Sequence, residues 1–473
     1  MSKDLRIYTP LDDLEFDRGQ EVTLDFEGRP LRGFTREPVA VALFAAGQPL
    51  LARSLKYHRP RGMFCVRGVC ASCVMRIDGV PGVRSCQVLC REGMRVERQG
   101  GLSSTQNDLM SAADLLLSER FEYHGLLTRP RALNKAMQSM VRRFVSSQRL
   151  PDGERRPRGI KTLEADVAII GAGPAGLSAA LAAQGAGAEV LLVESEPRVG
   201  GRLVHDVDVQ PAFSNDFAGQ RGFEVAHGAR KILEQNGARI LCDTTAVGFY
   251  AEGLIGLAGP EGLSTLHADK LIFATGAYDQ NRTFPGNDLL GVFSAAGVAR
   301  LINLYGICPA VRCYIYGSDD TALSLALRLL KIGVRVMGVV EPGETITGSR
   351  EVALTVQDHG VPLFLNYGLE SARGRLKLKA ANFVPHGPGG ESLYNRVDML
   401  AVSQTPAPAF EIAAMAGAAV KYDRAAGGFA VQVDSTGATS VEGCYACGQV
   451  VGLHRMDQIV DSARRAGLAA AGG

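Results

Sequence analysis

The order of apolar and polar positions divides the chain into three stretches of different character. Residues 20 to 35, QEVTLDFEGRPLRGFT, partly alternate around Glu27-Gly28, which predicts a hairpin, and the apolar run from Glu37 to Ala46 predicts a short helix. Beyond a cysteine-bearing loop, Val74 to Asp78 and Met94 to Arg98 read as further strands. The first hundred residues therefore predict a small sheet crossed by one helix, the order of a β-grasp domain. From Gly100 to Gly159 the chain turns polar and basic. Ser111 and Asp114 offer a helix start there. Leu133, Met137, Met140, Val141 and Phe144 then recur at helical spacing until Pro151-Asp152-Gly153, predicting a connector packed by one helical face. After Lys161, strands alternate with helices through glycine turns, the signature of a mostly parallel sheet. Two βαβ units stand out, Ala165 to Glu194 and Arg312 to Glu341.

Composition narrows the classes. A chain of 473 residues that is 46% hydrophobic closes several cores. Its 51 basic and 49 acidic side chains leave a net charge of +2, so no charge excess marks a nucleic acid or a membrane surface as partner. The short basic run ERRPR at 154–158 reads as a solvated linker. The N-terminus, MSKDLRIYTPLDDLEF, carries early acidic residues and no apolar run, so neither a secretory nor a transit signal is expected. The most hydrophobic stretch, Val167 to Val193, is broken by glycines, Pro174, Gln184 and Glu189, and no transmembrane segment is expected. These features predict a cytoplasmic protein. In a reducing compartment, clustered cysteines point to metal, cluster or redox work rather than to disulfides. Five of the ten cysteines fall between Cys65 and Cys90.

Candidate chemistry sits at four places. Cys65-x4-Cys70-x2-Cys73, followed after twelve residues by Cys86, has the run that wraps a [2Fe-2S] cluster in four thiolates, and Gly68 lets the loop fold tightly. Structural zinc competes, but zinc sites mostly present paired C-x2-C knuckles, a form that only Cys70-Cys73 has. Cys90 either competes for the fourth position or stays a buried thiol. Second, the strand from Asp166 to Ile170 leads into Gly171-x-Gly173-x-x-Gly176, a helix from about Pro174, and a strand Val190 to Val193 ending in Glu194. The glycines let backbone approach a pyrophosphate at the helix N-terminus, and Glu194 accepts from a ribose hydroxyl. Pro174 and Ala175 lie in that turn, and Gly200, Gly201 and Arg202 offer a second close approach. Third, residues 312–341 repeat this layout from Gly317, but Asp319 replaces the second glycine and would face a phosphate with like charge, so a retained scaffold is favoured over a working site. Fourth, Leu271 to Gly276, including Thr275, and Val441 to Gly448 read as strands running into glycine turns that line a cofactor. Cys444 and Cys447 form a C-x2-C, read as buried thiols in preference to a redox pair. His58, His124 and His454 share no metal or triad spacing, and no residue is assigned a catalytic role.

The stretch KYHRPRGMFC with its cysteine loop, FEYHGLLTRP, the GAGPAG turn with Glu194, and GCYACGQ together resemble the alpha subunits of the heteromeric sarcosine oxidase family. Related members are dehydrogenases of proline, hydroxyproline and opines and the hydrogen cyanide synthases. The resemblance implies an α/β chain with an N-terminal β-grasp [2Fe-2S] domain, a helical connector and a two-dinucleotide-binding-domain fold of the glutathione-reductase type. The expected boundaries are 1–105, 106–160, 161–282 with 371–473, and an inserted NAD-type domain at 283–370. It further implies that Gly171, Gly173, Gly176 and Glu194 bind FAD, or NAD or ATP in the same site, and that an FMN sits at a subunit interface. The implied partners are a D-amino-acid-oxidase-type beta subunit that does the amine oxidation, an electron acceptor and a small extra subunit. Three departures matter. The folate-binding half of sarcosine oxidase alpha subunits has no counterpart, so no tetrahydrofolate reaction is expected. The C-terminal cysteine-rich domain of some members has none either. Gly448-Gln449 stands where FAD-binding relatives have Gly-Asp, which weakens FAD.

The function expected is that of an oxidoreductase subunit, relaying electrons from flavin to the Cys65/Cys70/Cys73/Cys86 cluster in a dehydrogenase of a secondary amine, imino acid or opine. The rivals are a self-contained NAD(P)H-dependent FAD/[2Fe-2S] oxidoreductase and a nucleotide-stabilised scaffold subunit.

Overall fold

The computed structural model describes residues 4–9, 16–54, 58–100, 105, 108, 130–135, 160–206, 208, 210, 212–213, 217–387 and 390–472. The chain divides into two compact units, one built from 1–154 and 281–403, the other from 155–280 and 404–473. Most of the expected connector lies outside the described residues; of its apolar stripe only Leu133 is described, within the helical residues 131–135. Among the described residues no helix is long and apolar enough to cross a membrane.

The N-terminal half of the first unit opens with β1 (Glu21–Phe26) and β2 (Arg29–Phe34), hairpinned through Glu27-Gly28. Then follow α1 (Val39–Ala45), β3 (Val74–Ile77), β4 (Val80–Arg84) and β5 (Arg95–Glu97). The sheet order β2-β1-β5-β3-β4, with β1 and β5 parallel and the other pairs antiparallel, is a β-grasp. The strand β4 is unannounced in the sequence because Pro81 and Gly82 interrupt the apolar pattern. It lies at the sheet edge, where a missing N–H costs no ladder bond.

The second unit begins with β6 (Lys161–Ile170), α2 (Pro174–Gly185), β7 (Val190–Val193), α3 (Gly222–Gln235), β8 (Arg239–Leu241), β9 (Thr245–Phe249), β10 (Ile255–Gly259) and β11 (Gly262–Phe273). They form a sheet ordered β8-β7-β6-β11-β10-β9, parallel from β8 to β11 and antiparallel beyond. The residues of β7, VLLV, are buried throughout, as a strand covered on both faces requires.

After Gln280 the chain rejoins the first unit. It builds β12 (Val292–Ser294), α4 (Ala295–Asn303), β13 (Arg312–Tyr316), α5 (Asp320–Lys331), β14 (Arg335–Glu341), α6 (Arg350–Asp358) and β15 (Leu363–Leu365). There follow β16 (Tyr367–Gly374), β17 (Leu378–Pro385), β18 (Leu393–Asn395) and β19 (Met399–Val402). The strand β19 pairs between β12 and β13 in the parallel order β12-β19-β13-β14-β15, and β16, β17 and β18 form their own antiparallel sheet. This differs from the expected return at residue 371: β19 lies second in the inserted sheet, between β12 and β13, and the chain passes to the second unit only after Ser403. In the second unit β20 (Cys444–Ala446) then adds to β11, and α7 (Met456–Ala470) packs on α2 so closely that a Cβ at Gly467 would lie 2.3 Å from the Ala179 carbonyl oxygen.

All seven residues of α1, VAVALFA, are buried. A helix apolar on every side needs two surfaces. One is the β-grasp sheet and the other is the inserted domain, where the Phe44 ring meets Phe293 edge-on at 5.8 Å. Residues 4–9 thread the same junction: the Leu5 N–H donates to the Ala45 carbonyl, and the Cys308 N–H donates to the Leu5 carbonyl. Arg6 clamps Glu37 through Nε and Nη2, both at 2.8 Å, with both side chains all but excluded from solvent. Removing Glu37 leaves the buried Arg6 guanidinium to the partly exposed Asp4, at 3.1 Å, and takes a carboxylate from Arg18 as well. Glu37→Ala is therefore expected to lower the unfolding free energy of the first unit by about 3–5 kcal/mol, read from denaturant titration.

Candidate functional site: a thiol quartet and a glycine cradle

The cysteine loop lies between α1 and β3 and returns at Cys86. Cys65, Cys73 and Cys86 are buried and Cys70 is half-buried. The four sulfurs form two pairs, Cys65 with Cys70 and Cys73 with Cys86, each joined by a thiol hydrogen bond. Donation from Cys65 pulls the Cys70 thiol down to about 5, and donation from Cys86 lowers that of Cys73. The donors Cys65 and Cys86 are pushed up, by the same bonds and then by burial. Backbone N–H groups point at the sulfurs: Gly68 donates to Cys86 Sγ at 3.1 Å and Cys70 to Cys65 Sγ at 3.5 Å. Two pairs of thiolates suit two metal centres sharing an inorganic core. A single zinc ion would instead need all four ligands to converge on one point. The residues present fit a [2Fe-2S] cluster. Cys90 sits apart, with its sulfur 3.2 Å from the place a Cβ would take on Gly33 and its N–H bonded to the Glu37 carbonyl. Burial pushes its thiol up to about 12.

The loop is held from the inserted domain. Val66 takes φ +51°, and a β-branched residue is rare in that left-handed region. The Arg300 Nε of α4 donates to the Val66 carbonyl at 3.1 Å. The Ser294 N–H, at the start of α4, donates to the Phe64 carbonyl at 3.2 Å. Neither contact is legible in the sequence, because the partners lie more than two hundred positions apart.

In the second unit the Gly171–Gly176 turn joins β6 to α2. A Cβ at Gly176 would stand 1.8 Å from the Gly171 carbonyl oxygen, so only glycine permits this approach of helix to strand. The Gly200-Gly201 turn comes up against Gly173, where a Cβ on Gly201 would lie 2.9 Å from the Gly173 Cα, and Arg202 follows in a short 3-10 turn. No side chain caps α2, whose N-cap is Gly173 and whose first residue is Pro174. Its first N–H groups are thus left for an anion. Glu194 directly follows β7, with one carboxylate oxygen accepting from the Ala172 N–H at 2.8 Å and the other from the Glu196 N–H at 2.9 Å. Those bonds, with a third from the Ser195 hydroxyl at 3.2 Å, fix the carboxylate at the strand end where a ribose would lie. The Thr275 hydroxyl donates to the Ala409 carbonyl, whose own N–H donates to Gly276. At Gly448 a Cβ would meet that of Ala175 at 2.6 Å. The cradle residues expected from sequence are brought together and fit a dinucleotide.

Beside this cradle, burial pushes the Asp206 carboxyl up to about 6. The folded chain holds that proton more tightly than the unfolded one, so the group's stabilisation is present below pH 4 and lost as pH rises through 6, about 3 kcal/mol in all. Urea unfolding of Asp206→Asn at a series of pH values is expected to show a shallower loss of stability between pH 4 and 7.

The second fingerprint is built differently. Asp319 is the N-cap of α5, its carboxylate accepting from the Ala322 N–H at 2.9 Å and from the Ser403 hydroxyl at 2.8 Å. A fixed carboxylate thus holds the helix terminus that a pyrophosphate would need. Glu341, at the end of β14, is itself satisfied by the Ser318 hydroxyl and the Gly343 N–H. Cys444 and Cys447 are buried, and burial raises both thiols, Cys447 to about 12, away from the thiolate a redox pair needs. His58 pairs with the buried Asp108 carboxylate at 2.6 Å, and His454 approaches the Ala425 carbonyl. His124 lies outside the described residues.

Comparison with known proteins agrees with this geometry. Residues 19–101 match the 2Fe-2S iron-sulfur cluster binding domain, and residues 165–470 match the pyridine nucleotide-disulphide oxidoreductase family. The sarcosine oxidase alpha subunit of Rhizobium meliloti (strain 1021) is 29% identical over 352 residues, covering 69% of this chain and 34% of the relative. An opine oxidase subunit of Rhizobium meliloti is 25% identical over 335 residues, covering 64% of this chain and 62% of the relative. The chain spans about a third of the length of the sarcosine oxidase alpha subunits it matches. Its fold is shared with the crystal structure of L-proline dehydrogenase from P. horikoshii, at a TM-score of 0.64 and 22% identity over 92% of this chain and 69% of that one. With almost two thirds of its length on one family pattern, and sarcosine and opine oxidase subunits as relatives, this chain belongs to the pyridine nucleotide-disulphide oxidoreductase family and carries an N-terminal 2Fe-2S-type domain.

Proposed function

We propose that the chain is the electron-transferring, alpha-type subunit of a heteromeric flavin-dependent dehydrogenase or oxidase acting on a secondary amine, imino acid or opine. The observation that carries this reading is the pairing of four thiols, two by two, in a chain that also holds an uncapped glycine cradle. Cys65, Cys70, Cys73 and Cys86 would hold a [2Fe-2S] cluster. Gly171, Gly173, Pro174, Ala175 and Gly176 would take the pyrophosphate of FAD, or of NAD or ATP in the same place. Glu194 would orient the ribose, and Gly200, Gly201, Arg202, Thr275, Gly276 and Gly448 would line the rest. A flavin exchanges electrons in pairs or singly and a [2Fe-2S] cluster singly, so the two together connect a hydride donor to a one-electron acceptor. The chain's own residues bind, orient and insulate these groups; none is assigned to attack or deprotonate a substrate. The substrate would be oxidised in a partner of the D-amino-acid-oxidase type, with an FMN at the shared interface. The sarcosine and opine oxidase relatives, themselves named as subunits, support that division.

Co-purification from the native source tests the reading, with mass identification of partner chains and extracted nucleotide, metal analysis, and EPR after reduction. A flavoprotein partner, bound adenine nucleotide and an iron–sulfur signal are expected. Zinc without that signal would sink the relay. Reduction of the isolated chain's flavin by NADH would turn the assignment to a self-contained reductase.

A further inference from the structure

The cluster loop is shaped by a residue outside its own domain. Val66, directly after the first ligand, keeps φ +51° while 2% exposed, although its branched side chain disfavours that backbone. Strain of this kind persists where the surroundings dictate it. Here the surroundings are α4: Arg300, 4% exposed, donates from Nε to the Val66 carbonyl. On the other side of Cys65, Gly297 lies so near the Phe64 carbonyl that a Cβ would stand 2.4 Å from its oxygen. The Phe64 carbonyl accepts from the Ser294 N–H at the N-cap of α4, so both carbonyls flanking Cys65 are held at this helix of the inserted domain. Immediately after Val66, the N–H groups of Arg67 and Cys70 face Cys65 Sγ and that of Gly68 donates to Cys86 Sγ. Hydrogen bonds to ligand sulfurs are among the determinants of an iron–sulfur potential, because they stabilise the more negative, reduced state.

We propose that Arg300 is a positioning residue for the iron–sulfur centre: it holds the Val66 carbonyl, Val66 keeps its left-handed backbone, and that backbone aims the loop N–H groups at the ligand sulfurs and raises the potential. The inference rests on the cluster reading above. It gives the inserted domain, whose nucleotide turn is closed by Asp319, a role as the platform of the redox centre.

The test is an EPR-monitored redox titration of the full chain with dithionite, alongside iron and sulfide assays. Arg300→Gln is expected to move the midpoint potential to more negative values and to alter the g-values. Val66→Gly alone should leave both unchanged, since glycine adopts positive φ freely. Adding Val66→Gly to Arg300→Gln should return the potential toward that of the unmodified chain. A shift in Arg300→Gln that Val66→Gly does not reverse would overturn the backbone route, and an unshifted potential with full iron would overturn the proposal outright. Where Arg300→Gln instead loses iron, the same rescue is read as iron content, with recovery in support and no recovery against. An unmodified chain containing neither iron nor sulfide would overturn the cluster reading itself, and the inference with it.

Discussion

Cys86→Ser is expected to abolish the iron–sulfur centre, with loss of bound iron, visible absorption and EPR signal, while Cys90→Ser retains all three. The two cysteines are four positions apart and equally hidden from solvent, so burial does not separate them. Their neighbours do. Cys86 shares a hydrogen bond with Cys73 and receives the Gly68 N–H, inside the quartet. Cys90 faces Gly33 and the Glu37 backbone, apart from the quartet. Loss of the centre in Cys90→Ser, with retention in Cys86→Ser, would reassign the fourth position.

The second large effect concerns the cradle. Gly176→Ala is expected to weaken nucleotide binding by about 10- to 100-fold, read as nucleotide retained through gel filtration and as a dissociation constant. A methyl group 1.8 Å from the Gly171 carbonyl forces α2 away from β6, and overpacking of this kind costs about 1–3 kcal/mol. That displacement carries off the N–H groups that would meet the pyrophosphate. The control is Asp319→Ala, which should leave the amount of bound nucleotide unchanged and cost only about 1 kcal/mol of cap energy in α5. Full retention of nucleotide by Gly176→Ala would reject the cradle.

The periodic parts of the molecule are legible in the order of residues. The hairpin at Glu27-Gly28, α1, the βαβ unit ending at Glu194 and its degenerate repeat ending at Glu341 follow from local patterns and turn residues. What escapes is set by distance or by broken pattern. The strand β4 is hidden by Pro81 and Gly82, tolerated because it is an edge. The end of the inserted domain is misplaced because β19 is a short apolar strand like those of either sheet, and only its pairing with β12 and β13 shows where it belongs. The Arg6–Glu37 clamp and the Arg300 contact with Val66 join residues whose local context is ordinary. Asp319 is recognisable in sequence as a misplaced charge; that it caps α5 emerges only from its bond to Ala322.

The two-sided burial of α1 has a consequence for synthesis. The helix leaves the ribosome early, but Phe293, its partner across the junction, is translated only after the whole first part of the second unit. At about 5–20 residues per second that interval is on the order of tens of seconds, during which one apolar face of α1 has no cover. The nascent β-grasp domain therefore depends on residues from beyond Gln280 to bury that face.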